Sequence, residues 1–549
     1  MMNGDRNEMT ENKSRNNSAP RRGTAGPNRT GSNSRTGGNG KPYSGSKPAG
    51  GKPAFGKKPA GSGRPSFSGK PGEGRTGGGN RNFGNRNDRR APQDRKDSRT
   101  QKPPVEGMPA RRLALRVIRQ VTEQGAYASL ALNAALENCG LIAADRRLVS
   151  RLVYDTLDHL IWLDWVLSQV MAREDTDIKL RNILRMGACQ ILLEDRIPES
   201  AATNTCVQLC AEAGMEGLKG VCNGILRNLI RKKDEIVFPD PETEPDKAAS
   251  VKYSIPEWLW IRLKESYGEE EAVKIATFRM PEEGWTVRPN LTRTDDAGFE
   301  ELLQKKVWEK GKTDIPHAWK VRGAIDIARD ADFTGGMFSI MSGSSMMACL
   351  AMDVGRGKQV LDCCAAPGGK SCFLAELMDG TGRVQAWDIH DHRVALIEAQ
   401  MKRLGLENIR PMVRDAGKKR EDLYRTMDAV LLDAPCSGLG VLAEKPDIKL
   451  RVTEESVKEL TEIQKNLLDT VCEYVKPGGT LVYSTCSVLL EEDEDQVNAF
   501  LARHPEFEAC ELPASIPERF RRYRKNGLQL LEHRDGVEGF YLCRMKRKD

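Results

Sequence analysis

At 549 residues the chain is too long for a single hydrophobic core, and a norm of roughly 150 residues per domain predicts three or four units. No signal segment opens it and no apolar run approaches the roughly eighteen residues of a membrane span, which argues against an exported or membrane-embedded protein and for a cytoplasmic one. Its 14 cysteines are scattered through apolar segments, a distribution that excludes a disulfide framework and agrees with a reducing compartment.

From Met1 to Gly107 the text is mostly Gly, Asn, Ser, Arg, Lys and Pro, with Tyr43, Phe55, Phe67 and Phe83 as its aromatic content. So little apolar surface does not offset the entropy of ordering a chain, and residues 1–107 are expected to be a disordered tail. The tail holds 23 Lys and Arg against 8 Asp and Glu, a net +15 in a chain of +7, so residues 108–549 carry −8. A basic tail of this kind can hold the phosphates of a polyanion by counterion release without reading sequence; a solubilising extension is an equal alternative.

Residues 108–236 are helical in pattern. Leu113, Val117 and Val121, then Leu130, Leu132 and Leu136, then Leu148, Leu152, Val153 and Leu157 recur at three-to-four spacing. Asp145-Arg146-Arg147 and Asn223–Arg227 are the stretches that could face a ligand, although ordinary helix ends and surface charge explain them as well. Cys206 and Cys210 lack the second pair or the histidines that a zinc site needs, so they are expected to be structural thiols and no metal site is expected. A Pro-rich linker, Val237–Glu244, precedes a small α+β unit over residues 250–336, in which Trp258-Leu259-Trp260 starts a helix and Trp285–Arg288 alternates as a strand.

Residues 337–549 read as α/β, with apolar strands alternating with amphipathic helices as in a parallel sheet covered on both faces. The strand Gln359–Cys364 runs into Ala365-Ala366-Pro367-Gly368-Gly369-Lys370 and a helix over Ser371–Met378. A glycine turn at such a junction lets a ligand approach the backbone and a helix N-terminus, and the spacing is not the G-x-G-x-x-G of dinucleotide sites. The next strand, Arg383–Trp387, ends in Asp388, nineteen residues past Gly369, where a carboxylate can take both ribose hydroxyls of a nucleotide-like ligand. The strand Ile409–Val413 ends close to Asp415 and the strand Asp428–Leu432 ends at Asp433. Four successive strands thus deliver a glycine turn or a carboxylate to one carboxyl edge.

Ala434-Pro435-Cys436-Ser437-Gly438 follows Asp433. A helix expected over Thr453–Val475, with Ile463, Leu467, Val471 and Val475 on one face and a stop at Lys476-Pro477-Gly478-Gly479, feeds the strand Thr480–Ser484 and Thr485-Cys486-Ser487. Two cysteines are therefore placed at the tips of adjacent strands. One such cysteine is usually only a small hydrophobe. The pair suits a different chemistry: carbon 5 of cytosine is a poor nucleophile until a thiolate adds to carbon 6, after which it can attack a sulfonium methyl. That route needs a thiolate, an acid at ring nitrogen 3, and a group that helps remove the carbon 5 proton and expel the thiol.

At these residues the chain resembles a family. Cys364–Lys370, Asp433–Gly438 and Ser484–Ser487 resemble the motifs of the Sun (Fmu) group of S-adenosylmethionine (SAM)-dependent RNA cytosine-5 methyltransferases. Lys445-Pro446-Asp447-Ile448-Lys449 and a closing strand at Asp535–Leu542 resemble its small-subunit ribosomal RNA branch, and residues 108–233 resemble the NusB-type RNA-binding domain that this branch carries. The resemblance implies a class I methyltransferase (Rossmann-like) sheet, SAM held by Cys364, Ala365, Ala366, Pro367, Gly368, Gly369, Lys370, Asp388, Asp415 and Asp433, and 16S ribosomal RNA as substrate. It further implies Cys486 as the nucleophile, Cys436 as the residue that assists product release, and Asp433 as a residue that also faces the cytosine. Where the group usually has a Gln-Asp pair, this chain has Met341-Ser342. A transfer-RNA cytosine-5 methyltransferase would present nearly the same catalytic half, and a non-catalytic RNA-binding assembly factor is a third reading, disfavoured by the two retained thiols.

Overall fold

The structure, a computed structural model, describes residues 107–549 apart from residues 174, 280–283, 324–325 and 523. The tail expected over residues 1–107 lies, but for Gly107, outside the described residues.

Among the described residues, seven α-helices form the front unit: α1 Met108–Gln124, α2 Ala128–Leu136, α3 Ala143–Asp158, α4 Leu160–Val170, α5 Ile178–Leu192, α6 Glu199–Glu212 and α7 Lys219–Lys232. Their apolar stripes converge on one core that includes Val117, Leu132, Leu152, Val153, Leu157, Ile183, Cys206, Cys210 and Leu226. Cys206 and Cys210 are fully buried there, and burial pushes the Cys206 thiol up to about 12. Leu130 departs from the expected stripe. It is 66% exposed, because α2 is short and turns Ala128, Leu132 and Ala135 inward instead. Arg146 braces α3, donating from Nη1 to Leu136 O at 2.9 Å; in the Asn223–Arg227 stretch Leu226 is buried and Arg227 exposed.

Residues expected to form one α+β unit feed two separate cores. Helices α8 Pro245–Tyr253, α9 Glu257–Tyr267 and α10 Glu269–Thr277 bury Ile255, Leu259, Trp260, Leu263 and Ile275 against Leu439, Leu442, Val457, Val488 and Leu489 of the C-terminal half. The strands β1 Trp285–Pro289, β2 Glu309–Lys312, β3 Trp319–Arg322 and β4 Phe338–Ile340, with α11 Asp296–Gln304 and the one-turn α12 Ala331–Thr334, make an antiparallel sheet in the order β2-β3-β1-β4. Val287, Phe299, Leu303, Trp319, Val321 and Phe338 fill its core.

After α13 Gly343–Ala351 come β5 Gln359–Asp362, α14 Gly369–Leu377, β6 Arg383–Asp388, α15 Asp391–Leu404, β7 Ile409–Val413 and β8 Met427–Asp433. The chain continues through α16 Glu454–Val471, β9 Val475–Thr485, α17 Glu494–Arg503, β10 Phe507–Ala509, β11 Leu528–Leu530, α18 Glu532–Asp535 and β12 Phe540–Arg547. The sheet order is β10-β12-β9-β8-β5-β6-β7, with β11 paired to β12. Strands β7, β6, β5, β8 and β9 are mutually parallel, and β12 runs antiparallel to β9. Successive residues of β8 serve opposite faces: Ala429 and Leu431 enter the core under α13 and α14, and Val430 and Leu432 the one under α16 and α17. Both faces are covered, so the strand text is continuously apolar rather than alternating.

Several boundaries differ from the sequence reading, most of all around α16, β9 and the closing strand. Helix α16 ends at Val471, and a single 3₁₀ turn, Cys472–Tyr474, follows it. Val475 already pairs with Met427, the chain bulges over Lys476–Gly479, and pairing resumes at Thr480 with Ala429. The Pro-Gly-Gly text thus marks a bulge inside a strand rather than a loop before it. The buried face of α16 uses Val457, Gln464, Leu467, Leu468 and Val471, whereas Ile463 is 47% exposed. Burying each of those leucines contributes about 1.5–3 kcal/mol, and the Thr453–Ser456 capping box adds about 1 kcal/mol at the helix start. The closing strand begins at Phe540, Asp535 being the last residue of α18. Among the described residues no helix is long and apolar enough to cross a membrane.

Candidate active site

Because β5, β6, β8 and β9 are parallel, their last residues Asp362, Asp388, Asp433 and Thr485 share one carboxyl edge. The turn after β5 is fixed by Cys363 N donating to Leu431 O at 3.0 Å, Ala365 N to Trp387 O at 2.7 Å and Gly368 N to Ala365 O at 2.7 Å. Gly368 has φ +104°, and a Cβ there would meet Ile397 Cα of α15 at 3.0 Å, so both conformation and packing require glycine. At Gly369 the opposite holds: a Cβ would meet nothing within 4 Å. The start of α14 therefore faces open space with no side-chain cap, and its first-turn N–H groups and positive dipole end are available to an anionic ligand group.

A cavity of about 170 Å³ opens at this turn, lined by Cys364, Ala365, Ala366, Pro367, Gly369 and Lys370 together with Asp362, Asp433, Met341, Ser342 and Ser345. Of the residues expected to hold the cofactor, Gly368, Asp388 and Asp415 stand outside this lining. Asp388, 3% exposed, accepts from His390 N at 3.1 Å and pairs with Arg393 at 3.4 Å. Asp415 accepts from Gly417 N at 3.0 Å and pairs with Lys418 at 3.2 Å. At the position of the usual Gln-Asp pair, Met341 Sδ lies 3.3 Å from Arg288 Nε, and Ser342 Oγ caps α13 by accepting from Ser345 N at 3.3 Å.

Asp362 is fully buried. Its Oδ2 accepts from Ser371 Oγ at 2.6 Å, while Oδ1 has no partner. Burial foremost, partly offset by Ser371, raises its carboxyl to about 7. An unpartnered buried carboxylate oxygen calls for a cationic donor, which the ammonium of an amino-acid moiety would supply. Lys370 Nζ and Asp433 Oδ2 are 2.8 Å apart. Burial alone would lower the Lys370 ammonium, and Asp433 more than reverses that, holding it above its ordinary value. The other Asp433 oxygen accepts from Ser484 Oγ at 2.7 Å.

Beside this pair the sulfurs of Cys436 and Cys486, fifty positions apart, lie 3.3 Å from one another. The residue after each cysteine binds the same buried carboxylate: Ser437 N donates to Glu492 Oε1 at 2.8 Å, and both Ser437 Oγ and Ser487 Oγ donate to Oε2. Gln464 of α16 joins Glu492 Oε1 at 3.1 Å and Pro435 O at 3.0 Å. Gly440 N donates to Cys486 O at 2.9 Å, and a Cβ at Gly440 would meet Gly539 O at 2.1 Å. The two cysteine loops are thus locked to each other from below.

The surroundings of the thiols differ. Cys486 is held below the ordinary thiol value, first by the hydrogen bond from Cys436; burial and Asp433 oppose this, and Lys370 and Lys445 support it. Cys436 is pushed well above it, first by its bond to Cys486, then by burial and by the charges of Cys486, Glu492 and Asp433 around it. A thiolate is the nucleophilic form; the bond between the two sulfurs chiefly, with Lys370 and Lys445 adding to it, favours that form at Cys486 rather than at Cys436.

Sequence reasoning missed Asp362, Ser371, Gln464, Ser484 and Glu492. Asp362 carried a readable signal as the acidic end of a buried strand. Glu492 carried none, since the run Glu491–Asp495 reads as solvated charge at a helix start.

Family models match this chain twice: NusB family over residues 108–231, and 16S rRNA methyltransferase RsmB/F over residues 349–546. The chain is 34% identical over 442 residues to the probable ribosomal RNA small subunit methyltransferase B of Bacillus subtilis, covering 80% of this chain and 98% of that protein. It is 30% identical over 449 residues to the ribosomal RNA small subunit methyltransferase B of an Escherichia coli strain, with 80% and 98% covered. Among solved structures, the crystal structure of PH0851 matches with a TM-score of 0.69 and 25% identity, covering 81% of this chain and 99% of that one. The cofactor is SAM, and the site suits it, with a bare helix start at Gly369, an unpartnered Asp362 oxygen and a strand-end carboxylate at Asp388. With relatives aligned over nearly their whole length and both domains matched, the chain belongs to the RsmB/F family of 16S rRNA methyltransferases and carries a NusB-family domain at its front.

Proposed function

We propose that the protein methylates carbon 5 of a cytosine in 16S ribosomal RNA through a covalent adduct between Cys486 and carbon 6. The observation that carries this reading is the 3.3 Å approach of Cys436 and Cys486 on two loops that hang from one buried carboxylate beside the Lys370–Asp433 pair. Bound SAM would supply an electrophilic methyl on a sulfonium, whose S–CH3 bond breaks with the electron pair staying on sulfur, so that it leaves as a neutral thioether. Asp362 and the N-terminus of α14 would bind its amino-acid end, and Asp388 would take its ribose hydroxyls. Asp415 supports that side of the site from the end of β7.

The Cys486 thiolate adds to carbon 6, and the electrons of the carbon 5–carbon 6 double bond become available at carbon 5 for methyl capture. Asp433 faces the pyrimidine, and the Asp433–Lys370 pair acts at ring nitrogen 3, Lys370 holding the proton that offsets the charge developing there. After transfer the carbon 5 proton leaves to water, the double bond re-forms and the Cys486–carbon 6 bond breaks. Cys436, a neutral thiol in hydrogen-bond reach of the departing sulfur, donates to it as it becomes a thiolate. The NusB-family domain supports RNA as the partner, and the +15 tail adds salt-dependent, sequence-independent contacts.

Mapping 5-methylcytosine across ribosomal and transfer RNA from cells with and without the protein tests the reading. Loss at one 16S cytosine in cells lacking it is the expected result. Loss confined to transfer RNA, or no loss at any cytosine, overturns the assignment.

A further inference from the structure

The loop that carries Cys436 does not end at the catalytic sheet. Ten residues after Cys436 it forms the 3₁₀ turn Pro446–Leu450, and this turn is gripped by the helical front unit. Asp447, 2% exposed, accepts from Ala128 N at the start of α2 at 3.0 Å. Lys449, 3% exposed, places Nζ 2.7 Å from Asp158 Oδ1 at the end of α3, and Arg279 Nε donates to Asp158 Oδ2 at 2.8 Å. Leu450 packs on the front unit's apolar core, and the Arg451 guanidinium lies 3.8 Å over the Tyr127 ring. At its other end the same loop is braced on the thiol site, Gly440 N donating to Cys486 O at 2.9 Å, and within the loop Lys445 N donates to Val441 O at 2.9 Å.

A buried ion pair seldom stabilises more than apolar packing of the same volume would, because desolvation offsets its attraction. Its distinctive contribution is a single geometry. Here that geometry joins the front domain directly to the segment carrying Cys436.

We infer that Asp447 and Lys449 are positioning residues, through which the front domain, acting from Ala128 and Asp158, sets the placement of Cys436 against the Cys486 adduct. This rests on the reading of Cys436 as the residue that assists adduct breakdown. Displacing Cys436 by a fraction of an ångström slows breakdown while leaving attack by Cys486, held by its own strand, largely intact.

The test follows formation and decay of the denaturation-resistant protein–RNA adduct in single turnover, using full-length protein, 16S RNA and SAM, for Lys449→Met and Asp447→Asn. Adduct decay slower by about ten- to a hundred-fold, with SAM affinity and the rate of adduct formation at its high-pH plateau nearly unchanged, is expected, and Lys449→Arg should recover most of the loss. Equal slowing of both steps, or unchanged decay, overturns the inference. If Lys449→Met does not fold, Arg451→Ala must show the same selective slowing, and equal rates there also overturn it. Cys436→Ala separates the two claims. Should it fail to accumulate adduct, the reading of Cys436 falls; should it accumulate adduct while the loop variants release normally, only the coupling falls.

Discussion

The hydroxyl of Ser487 donates to Glu492 at 2.6 Å, and the carboxylate it reaches also receives Ser437 from the other cysteine loop. Glu492 is fully buried, so its four donors have no solvent to fall back on. The spacing of the thiols therefore depends on a residue that touches neither of them.

Glu492→Ala leaves Ser437, Ser487 and Gln464 without that acceptor, at about 1–3 kcal/mol for each buried group left bare. Urea unfolding should report the loss in stability, with Glu492→Gln intermediate. In the folded variant both formation and breakdown of the adduct should slow while SAM affinity holds. Wild-type rates in a folded Glu492→Ala protein would contradict the positioning role.

The cofactor edge makes a separate prediction. If Asp388 receives the ribose hydroxyls, Asp388→Ala loses charge-assisted hydrogen bonds of about 1.5–3 kcal/mol, a roughly ten- to hundred-fold weakening of SAM binding. Calorimetric titration measures it, and unchanged affinity would remove Asp388 from the site.

The legible part of this architecture is the part written locally. A glycine turn after an apolar strand, acidic strand ends at Asp388 and Asp433, and cysteines at two strand tips are each decided within a few residues, and parallel pairing brings them to one edge. What stayed hidden depends on tertiary partners. Glu492 sits in an acidic run whose text matches solvated charge, Leu130 and Ile463 fit an apolar period yet face water, and Lys476–Gly479 reads as a loop until β8 is seen to pair on both sides of it. The grip of the front domain on Asp447 and Lys449 joins segments some three hundred residues apart, and periodicity carries no record of such a contact.

Thiol ionisation gives a prediction with a sign. Cys486 is held below the ordinary thiol value near 9, chiefly by the hydrogen bond from Cys436, and the thiolate is the attacking form. The rate of adduct formation should therefore rise with pH to a plateau whose midpoint lies below 9. Cys436→Ala removes the leading cause while burial and Asp433 remain, so its midpoint should move upward. A midpoint that stays in place in the pH profile of single-turnover adduct formation would mean that Cys436 does not stabilise the thiolate.

The division of labour between the two thiols can be read from one denaturing gel. Cys486→Ala should form no covalent species, even with RNA carrying 5-fluorocytosine at the target, because the bond to carbon 6 never forms. Cys436→Ala should accumulate a protein–RNA species that survives denaturation with ordinary RNA, because the bond forms and breaks slowly. Adduct with Cys486→Ala and none with Cys436→Ala would contradict this account and make Cys436 the nucleophile.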